Sequence, residues 1–248
     1  MSPNAEKTYL CPKIGDLKKR YKHLFFDLDR TLWDFEKSAK ETFSDIYTHY
    51  NLKAAGVPSM EAFFERYTVH NEQLWDLYRV GEIKKEILRD LRFSLTLNDF
   101  GINNPELAKE MGDYYIEESP RKVNLFPYSH ELLQYLRPNY QLHLITNGFS
   151  EVQEVKLKSS QLDQYFNKVI TSEDAGAKKP DPQIFNFAFQ QTGALPVESL
   201  MIGDDVPIDI VGARQVGMDQ VLFDPDGIHP PETGTYYIRG LSELKGWL

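Results

Sequence analysis

Short apolar runs separated by polar and turn residues recur along this chain. The first is His23-Leu24-Phe25-Phe26, and similar runs predict strands over 142–146, 168–171, 200–203, 221–223 and 236–238. Residues at helical spacing lie between most of these runs: Asp181-Pro182 marks a helix start, and Phe185 and Phe189 then share one face. This alternation predicts an α/β fold, a doubly wound, Rossmann-like parallel sheet with its ligand site at the carboxyl ends of the strands.

Residues 33–120 break the alternation, because their pattern is helical throughout. Helices are predicted over 36–51, 59–80, 84–100 and 105–118. In the third of them Ile87, Leu88, Leu91 and Leu95 form an apolar stripe. We therefore predict an all-helical module, residues 33–120, inserted into a core domain made of residues 21–32 and 121–248, with residues 1–20 as an N-terminal extension.

Two further helix starts are predicted in the core domain. Ser150 and Gln153 have the spacing of a capping box for the helix after Thr146. Pro207 lies close to the start of the helix after Asp204.

Composition excludes several classes of protein. Cys11 is the only cysteine, so an intrachain disulfide and a zinc site built on several thiolates are both excluded, and a reducing, cytoplasmic location is expected. The formal net charge of -9 argues against a nucleic-acid partner. The chain has no apolar run of the roughly 20 residues that cross a membrane, so no membrane partner is expected. The sequence pattern does not indicate an oligomeric state.

Two carboxylates, Asp27 and Asp29, follow the first strand with one residue between them. Placing two like charges so close together is costly unless a cation lies beside them. Oxygen ligands favour Mg²⁺. This pair therefore predicts a metal-assisted site in which one Asp acts as nucleophile and the other as acid and base.

Three other polar groups follow predicted strands or precede a predicted helix. They are Thr146-Asn147-Gly148, Lys178-Lys179-Pro180, and Gly203-Asp204-Asp205 with Asp209. They offer in turn an anion cradle, a cation for phosphate, and further carboxylates for a metal. Each group alone is as well explained by an ordinary turn or a solvated surface. All of them follow in one order, however, which favours a single site.

Together these residues resemble the haloacid dehalogenase superfamily of phosphohydrolases, over residues 23–248, and the helices after Thr31 resemble that family's helical cap. The resemblance implies that Asp27 is the nucleophile, which forms an aspartyl-phosphate. It implies that Asp29 is the general acid and base, and that its backbone carbonyl binds Mg²⁺ together with Asp27 and Asp204.

The same resemblance implies roles for the other groups. Thr146 and Lys179 would hold and neutralise the transferring phosphoryl group, with Thr31, Asn147 and Gly148 as substrate-binding residues. Asp209 and Asp205 would support the metal from behind its direct ligands.

Segments 27–35, 145–149 and 172–180 are similar to those of bacterial 5'-nucleotidases that act on pyrimidine nucleoside monophosphates. The resemblance implies an Mg²⁺-dependent hydrolase of a small phosphorylated metabolite. Trp33 and Phe35, at the hinge, are expected to contact the substrate, whereas Trp75 and Tyr78 are expected to pack the cap helices together.

Alternatives remain open from the sequence. Asp29 argues against a true dehalogenase, which lacks the second acid. A sugar-phosphate phosphatase or phosphomutase on the same scaffold carries both acids and fits the motifs as well. A binding protein on a degenerate core would lack a catalytic carboxylate or the lysine, and this chain has both.

Three further residues have expected environments. His70 and Arg79 either contact substrate or lie in solvent, and His143 is expected to be a core residue.

Overall fold

The computed structural model describes residues 20–248, and its centre is a sheet of six parallel strands. In chain order they are β1 (His23–Phe26), β2 (Gln141–Thr146), β3 (Lys168–Thr171), β4 (Ser199–Gly203), β5 (Asp219–Phe223) and β6 (Tyr236–Ile238). The predicted extension over residues 1–20 lies outside the described residues except for Arg20. The predicted doubly wound fold is confirmed.

The strands are ordered β3-β2-β1-β4-β5-β6, so the chain builds outward from β1 in both directions. Phe26 is in register with Leu144 of β2 on one side and with Ile202 of β4 on the other. Because every pair is parallel, the residues after β1, β2 and β4 meet at one edge of the sheet. This reversal of strand order is where α/β proteins bind ligands.

Helices cover both faces of the sheet and form a separate group beyond its carboxyl edge. Their bounds are α1 (Phe35–His49), α2 (Met60–Arg79), α3 (Lys85–Asp99), α4 (Pro105–Glu118), α5 (Ser129–Leu136), α6 (Ser150–Ser159), α7 (Ser172–Ala175), α8 (Pro182–Thr192) and α9 (Val211–Gln215). A π-helical turn, Val206–Ile210, leads into α9. Within the described residues no helix is both long and apolar enough to cross a membrane.

Alternate side chains of β1 enter two different apolar clusters. Leu24 and Phe26 pack with α5 on one face, whereas Phe25 packs with Phe185 of α8 on the other. This period of two explains why β1 is apolar at every position after His23. The predicted start of α8 is confirmed, since the Asp181 carboxylate accepts the Gln183 N–H at 2.8 Å.

Helices α1 to α4 have an apolar cluster of their own, which includes Phe43, Phe63, Phe93 and Tyr115. Their bounds agree with the predicted ones to within two residues. Trp33 was assigned to this module, but it packs in the cluster of the sheet.

Two local predictions were wrong. In the predicted stripe of α3 only Leu88 is fully buried, while Ile87 and Leu91 are exposed. The buried face of the helix is instead made of Leu88, Arg92, Phe93, Thr96 and Leu97. The predicted capping box of α6 does not form. Its Gln153 side chain bonds to Asp29 rather than to the start of the helix.

His143 lies within β2 and is 2% exposed, as expected of a core residue. Its Nε2 lies 3.1 Å from His23 Nδ1, and the two rings stack. Burial, with smaller contributions from His23 and Lys168, lowers the pKa of His143 to about 4. The folded protein therefore resists protonation of this ring.

This burial predicts a pH-dependent loss of stability. Between its ordinary pKa and about 4, His143 is protonated in the unfolded chain but neutral in the folded one, so the free energy of unfolding falls as the pH falls through that window. His143→Phe should reduce the difference between pH 7.5 and pH 5, as measured by urea unfolding, by on the order of 1 kcal/mol. The control His229→Gln lies outside this pair. An unchanged difference in His143→Phe would contradict the argument.

Candidate active site

A buried lysine joins two carboxylates at the carboxyl edge of the sheet. Lys179 Nζ donates to Asp27 Oδ1 at 2.5 Å and to Asp209 Oδ1 at 2.7 Å. Lys179 is 2% exposed and Asp209 1%. Burying a charge in this way is very costly unless it is paired, so Lys179 and its two acids must be considered together.

Opposing effects set the charges of this group. Burial raises the pKa of Asp27 to about 7, against the pull of Lys179 and with a contribution from Asp209. Burial alone would lower the pKa of Lys179, but Asp209 and Asp27 more than offset it and the net pKa is raised. Lys179 is therefore a permanent cation, and the carboxylates around it compete for one positive charge.

Asp204 adds a third carboxylate to the group and so increases its excess of negative charge. Burial, followed by the proximity of Asp209 and Asp27, raises the pKa of Asp204 well above its usual range. Asp27, Asp204 and Asp209 each offer an oxygen, and these oxygens lie within 4.8 Å of one another. Such a set of crowded, buried carboxylate oxygens suits Mg²⁺. The structure thus brings the predicted metal acids together, with Asp209 as close as the others.

Thr31 and Asp205 hold this acidic group in place. Thr31 is fully buried and donates from Oγ1 to Asp204 Oδ1 at 3.0 Å. It therefore orients a carboxylate and does not line the pocket, and a contact of Thr31 with substrate stays a prediction. Asp205 caps the π-helical turn by accepting the Ile208 N–H at 3.0 Å, and it also lines the pocket.

Gly203 explains how Asp209 reaches this position. A Cβ atom on Gly203 would lie 2.4 Å from Asp209 Oδ2 and 2.6 Å from its Cβ. Only a glycine at the end of β4 leaves room for the carboxylate beneath the strand.

The turn after β2 contributes in two ways. Thr146 is buried, and its Oγ1 accepts the Gly148 N–H at 3.0 Å, so its own hydroxyl hydrogen remains available to an anion. The Asn147 side chain instead contacts the lysine loop. Its Nδ2 donates to the Lys179 carbonyl at 2.9 Å and its Oδ1 accepts the Lys179 N–H at 2.8 Å. Asn147 therefore positions Lys179.

Asp29 is held by two residues of α6 that the sequence reasoning missed. Gln153 Nε2 donates to Asp29 Oδ2 at 2.8 Å, and the Lys156 ammonium pairs with Asp29 Oδ1. Both α6 side chains are buried. A signal was present in the sequence, because Gly148 leaves the space that Gln153 occupies: a Cβ there would lie 1.6 Å from Gln153 Nε2.

The pocket above these residues has a second wall, formed by the module of residues 33–120. Phe35, Asn71, Glu72, Trp75 and Arg79 line it from this side. Phe35 thus lies where a substrate contact was predicted. Trp33 does not line the pocket: it is fully buried, with the Lys156 ammonium 5.4 Å from its ring centroid, and its role in substrate binding stays a prediction.

Aromatic and charged contacts hold the two walls together. Trp75 stacks on Phe149 at 5.3 Å, and Tyr78 meets the same ring edge-on, so both side chains contact the sheet domain. The same apolar cluster contains Leu88 of α3, so these side chains also pack cap helices together, as expected. Lys85 pairs with both Glu151 and Glu173 at 3.0 Å. Of the two residues left open, Arg79 lines the pocket, whereas His70 pairs with Asp99.

The family model for haloacid dehalogenase-like hydrolases matches residues 24–223. The chain therefore belongs to this family.

Individual relatives narrow the class. The chain is 31% identical to pyrimidine 5'-nucleotidase PynA of Streptococcus pneumoniae, over 90% of this chain and 93% of that protein. It is 29% identical to pyrimidine 5'-nucleotidase YjjG of Escherichia coli, over 90% and 95%. A magnesium-bound crystal structure of the putative hydrolase YfnB of Bacillus subtilis is similar at a TM-score of 0.81 and 27% identity, over 91% and 97%. The protein is a hydrolase of phosphoric monoesters.

Replacing Lys179 tests the charge balance of the site. Lys179→Met leaves Asp27 and Asp209 buried without their cation, so we expect the free energy of unfolding at pH 8 to fall by about 3 kcal/mol and phosphatase activity to be lost. Urea unfolding and a phosphate-release assay measure the two effects.

Its neighbour supplies a matched control. Lys178 is not among the residues that line the pocket, and its ammonium lies 4.1 Å from the Tyr78 ring centroid, so Lys178→Met should cost no more than about 1 kcal/mol. Equal losses in the two variants would contradict a central role for Lys179.

Proposed function

We propose that this protein is a Mg²⁺-dependent nucleoside 5'-monophosphatase of the pyrimidine type. The observation that carries the proposal is the cluster of Asp27, Lys179, Asp204 and Asp209 beside the turn at Thr146, open to a pocket with an aromatic wall. The two pyrimidine 5'-nucleotidases among its relatives support the substrate class.

In the proposed reaction Asp27 attacks phosphorus, and the bond from phosphorus to the leaving oxygen breaks. Asp29 gives a proton to that oxygen and later takes one from the water that hydrolyses the aspartyl-phosphate. Lys156 and Gln153 fix the Asp29 carboxylate at the pocket wall for these steps.

The remaining core residues supply charge. Lys179 and the hydroxyl of Thr146 would neutralise and orient the phosphoryl oxygens. The Asp27, Asp204 and Asp209 carboxylates and the Asp29 backbone carbonyl would hold Mg²⁺, which when bound offsets the charge of the acids and of the phosphate. This balance explains why three acids share one lysine.

The helical module over residues 33–120 serves in this proposal as a cap that chooses the leaving group. Its Phe35 and Trp75 offer flat faces on which a base can stack. The single cysteine of the chain fits a cytoplasmic location for the reaction.

A substrate panel tests the proposal. Phosphate release from the 5'-monophosphates of uridine, cytidine and thymidine should require Mg²⁺ and stop with a chelator. It should exceed release from purine nucleotides and sugar phosphates. Asp27→Asn should abolish it, lowering kcat by a factor of at least about 1,000, because the nucleophile is lost.

Asp226→Asn, an exposed acid away from the pocket, is the matched control and should keep full activity. Full activity in Asp27→Asn would contradict the mechanism. Sugar phosphate isomerised without release of phosphate would show a phosphomutase instead.

A further inference from the structure

Arg92 of α3 is a buried cation without an acidic partner. It is 4% exposed, and no carboxylate of the described residues lies within ion-pair distance of it. Nη1 donates one long hydrogen bond, 3.3 Å to Asn71 Oδ1, whereas Nε and Nη2 have no partner among these residues. A guanidinium stays charged at any accessible pH, so the cost of burying it cannot be avoided by losing the proton.

Aromatic rings offset only part of that cost. The Arg92 guanidinium lies 5.7 Å from the ring centroid of Tyr67, 5.8 Å from that of Phe93 and 4.9 Å from that of Tyr115. The hydroxyls of Tyr67 and Tyr115 are also buried and lack a partner among the described residues. The guanidinium therefore lies among aromatic rings and neutral hydroxyls, and no carboxylate of the described residues balances its charge.

This group adjoins the active-site pocket. Arg92 and Tyr115 line a cavity that also touches Asp29, Phe35, Trp75 and Gly148, all of which line the main pocket as well. The cavity's other charged residues are Lys156 and Asp29, which pair with each other, so the Arg92 charge remains in excess. A molecule bound at Asp27 can therefore extend toward Arg92.

We propose that Arg92 is a specificity residue, whose guanidinium binds hydrogen-bond acceptors on the leaving group of the substrate. The chemistry is that of hydrogen-bond acceptors: either the carbonyl oxygens of a pyrimidine base, joined in cytosine by the neighbouring ring nitrogen, or the two oxygens of a carboxylate. The site lies on the cap side of Asp29, away from Lys179 and Thr146, so it does not hold the transferring phosphoryl group. The inference deepens the proposed nucleotidase function and rests on it for the base.

Three substrates of different leaving group test the proposal. Uridine 5'-monophosphate offers base carbonyls, phosphoglycolate offers a carboxylate, and phenyl phosphate offers a ring without acceptors. In Arg92→Met, kcat/KM should fall about 10- to 100-fold for an ester whose leaving group reaches the guanidinium, since a charged hydrogen bond is lost. It should stay within about twofold of the parent enzyme for phenyl phosphate.

Two variants sharpen the comparison. Arg92→Lys keeps the charge without the planar fork and should recover only part of the loss. Arg66→Met removes an exposed arginine of the same module and should leave all three rates unchanged. Uridine, which has no phosphate, should inhibit phenyl phosphate hydrolysis by the parent enzyme. Its inhibition constant should be at least about tenfold higher for the Arg92→Met variant, as expected for the loss of one charged hydrogen bond.

The outcomes separate the two proposals. Selective loss with the uridine ester identifies base carbonyls as the acceptors, and selective loss with phosphoglycolate identifies a carboxylate, even if the protein proves not to be a nucleotidase. An equal loss with all three esters, phenyl phosphate included, would reduce Arg92 to a structural cation of the cap and overturn the inference. No loss with any ester would overturn it as well.

Discussion

The buried contact between Lys179 and the carboxylates of Asp27 and Asp209 is the constraint on which the rest of the site depends. One lysine cannot balance three acids in a dry environment, so the site is incomplete until further positive charge enters. The surrounding structure serves this arrangement. The side-chain amide of Asn147 hydrogen-bonds to both the carbonyl and the N–H of Lys179, and Gly203 leaves room for Asp209.

Both walls of the pocket also contain buried positive charge. One wall carries the buried Lys156, which is paired with Asp29. The other carries the buried Arg92, which has no carboxylate partner among residues 20–248. In the functions proposed above, the core neutralises groups needed for phosphoryl transfer with any substrate, and Arg92 of the cap serves one particular kind of leaving group. This division explains how one chemistry can coexist with differing specificities.

Strand and helix positions were readable from the sequence because periodicity reports burial, and the order of the four polar motifs was sufficient to place Asp27, Thr146, Lys179 and Asp204 together. What could not be read was which face of α3 turns inward, since a buried arginine breaks the apolar pattern there. The environments of Gln153 and Trp33 could not be predicted either, for a related reason. Local spacing favoured a cap and a hinge contact, whereas long-range contacts placed Gln153 on Asp29 and Trp33 in the core.

In the proposed mechanism Asp27, which contacts Lys179, receives the phosphoryl group. The most direct measurement is acid quenching of the enzyme during turnover with Mg²⁺ and substrate, followed by borohydride reduction and peptide mass spectrometry. Reduction of an aspartyl-phosphate converts that aspartate to homoserine. We expect homoserine at position 27, and only when substrate is present. Homoserine at position 29 or 204, or at no aspartate while phosphate is being released, would contradict it.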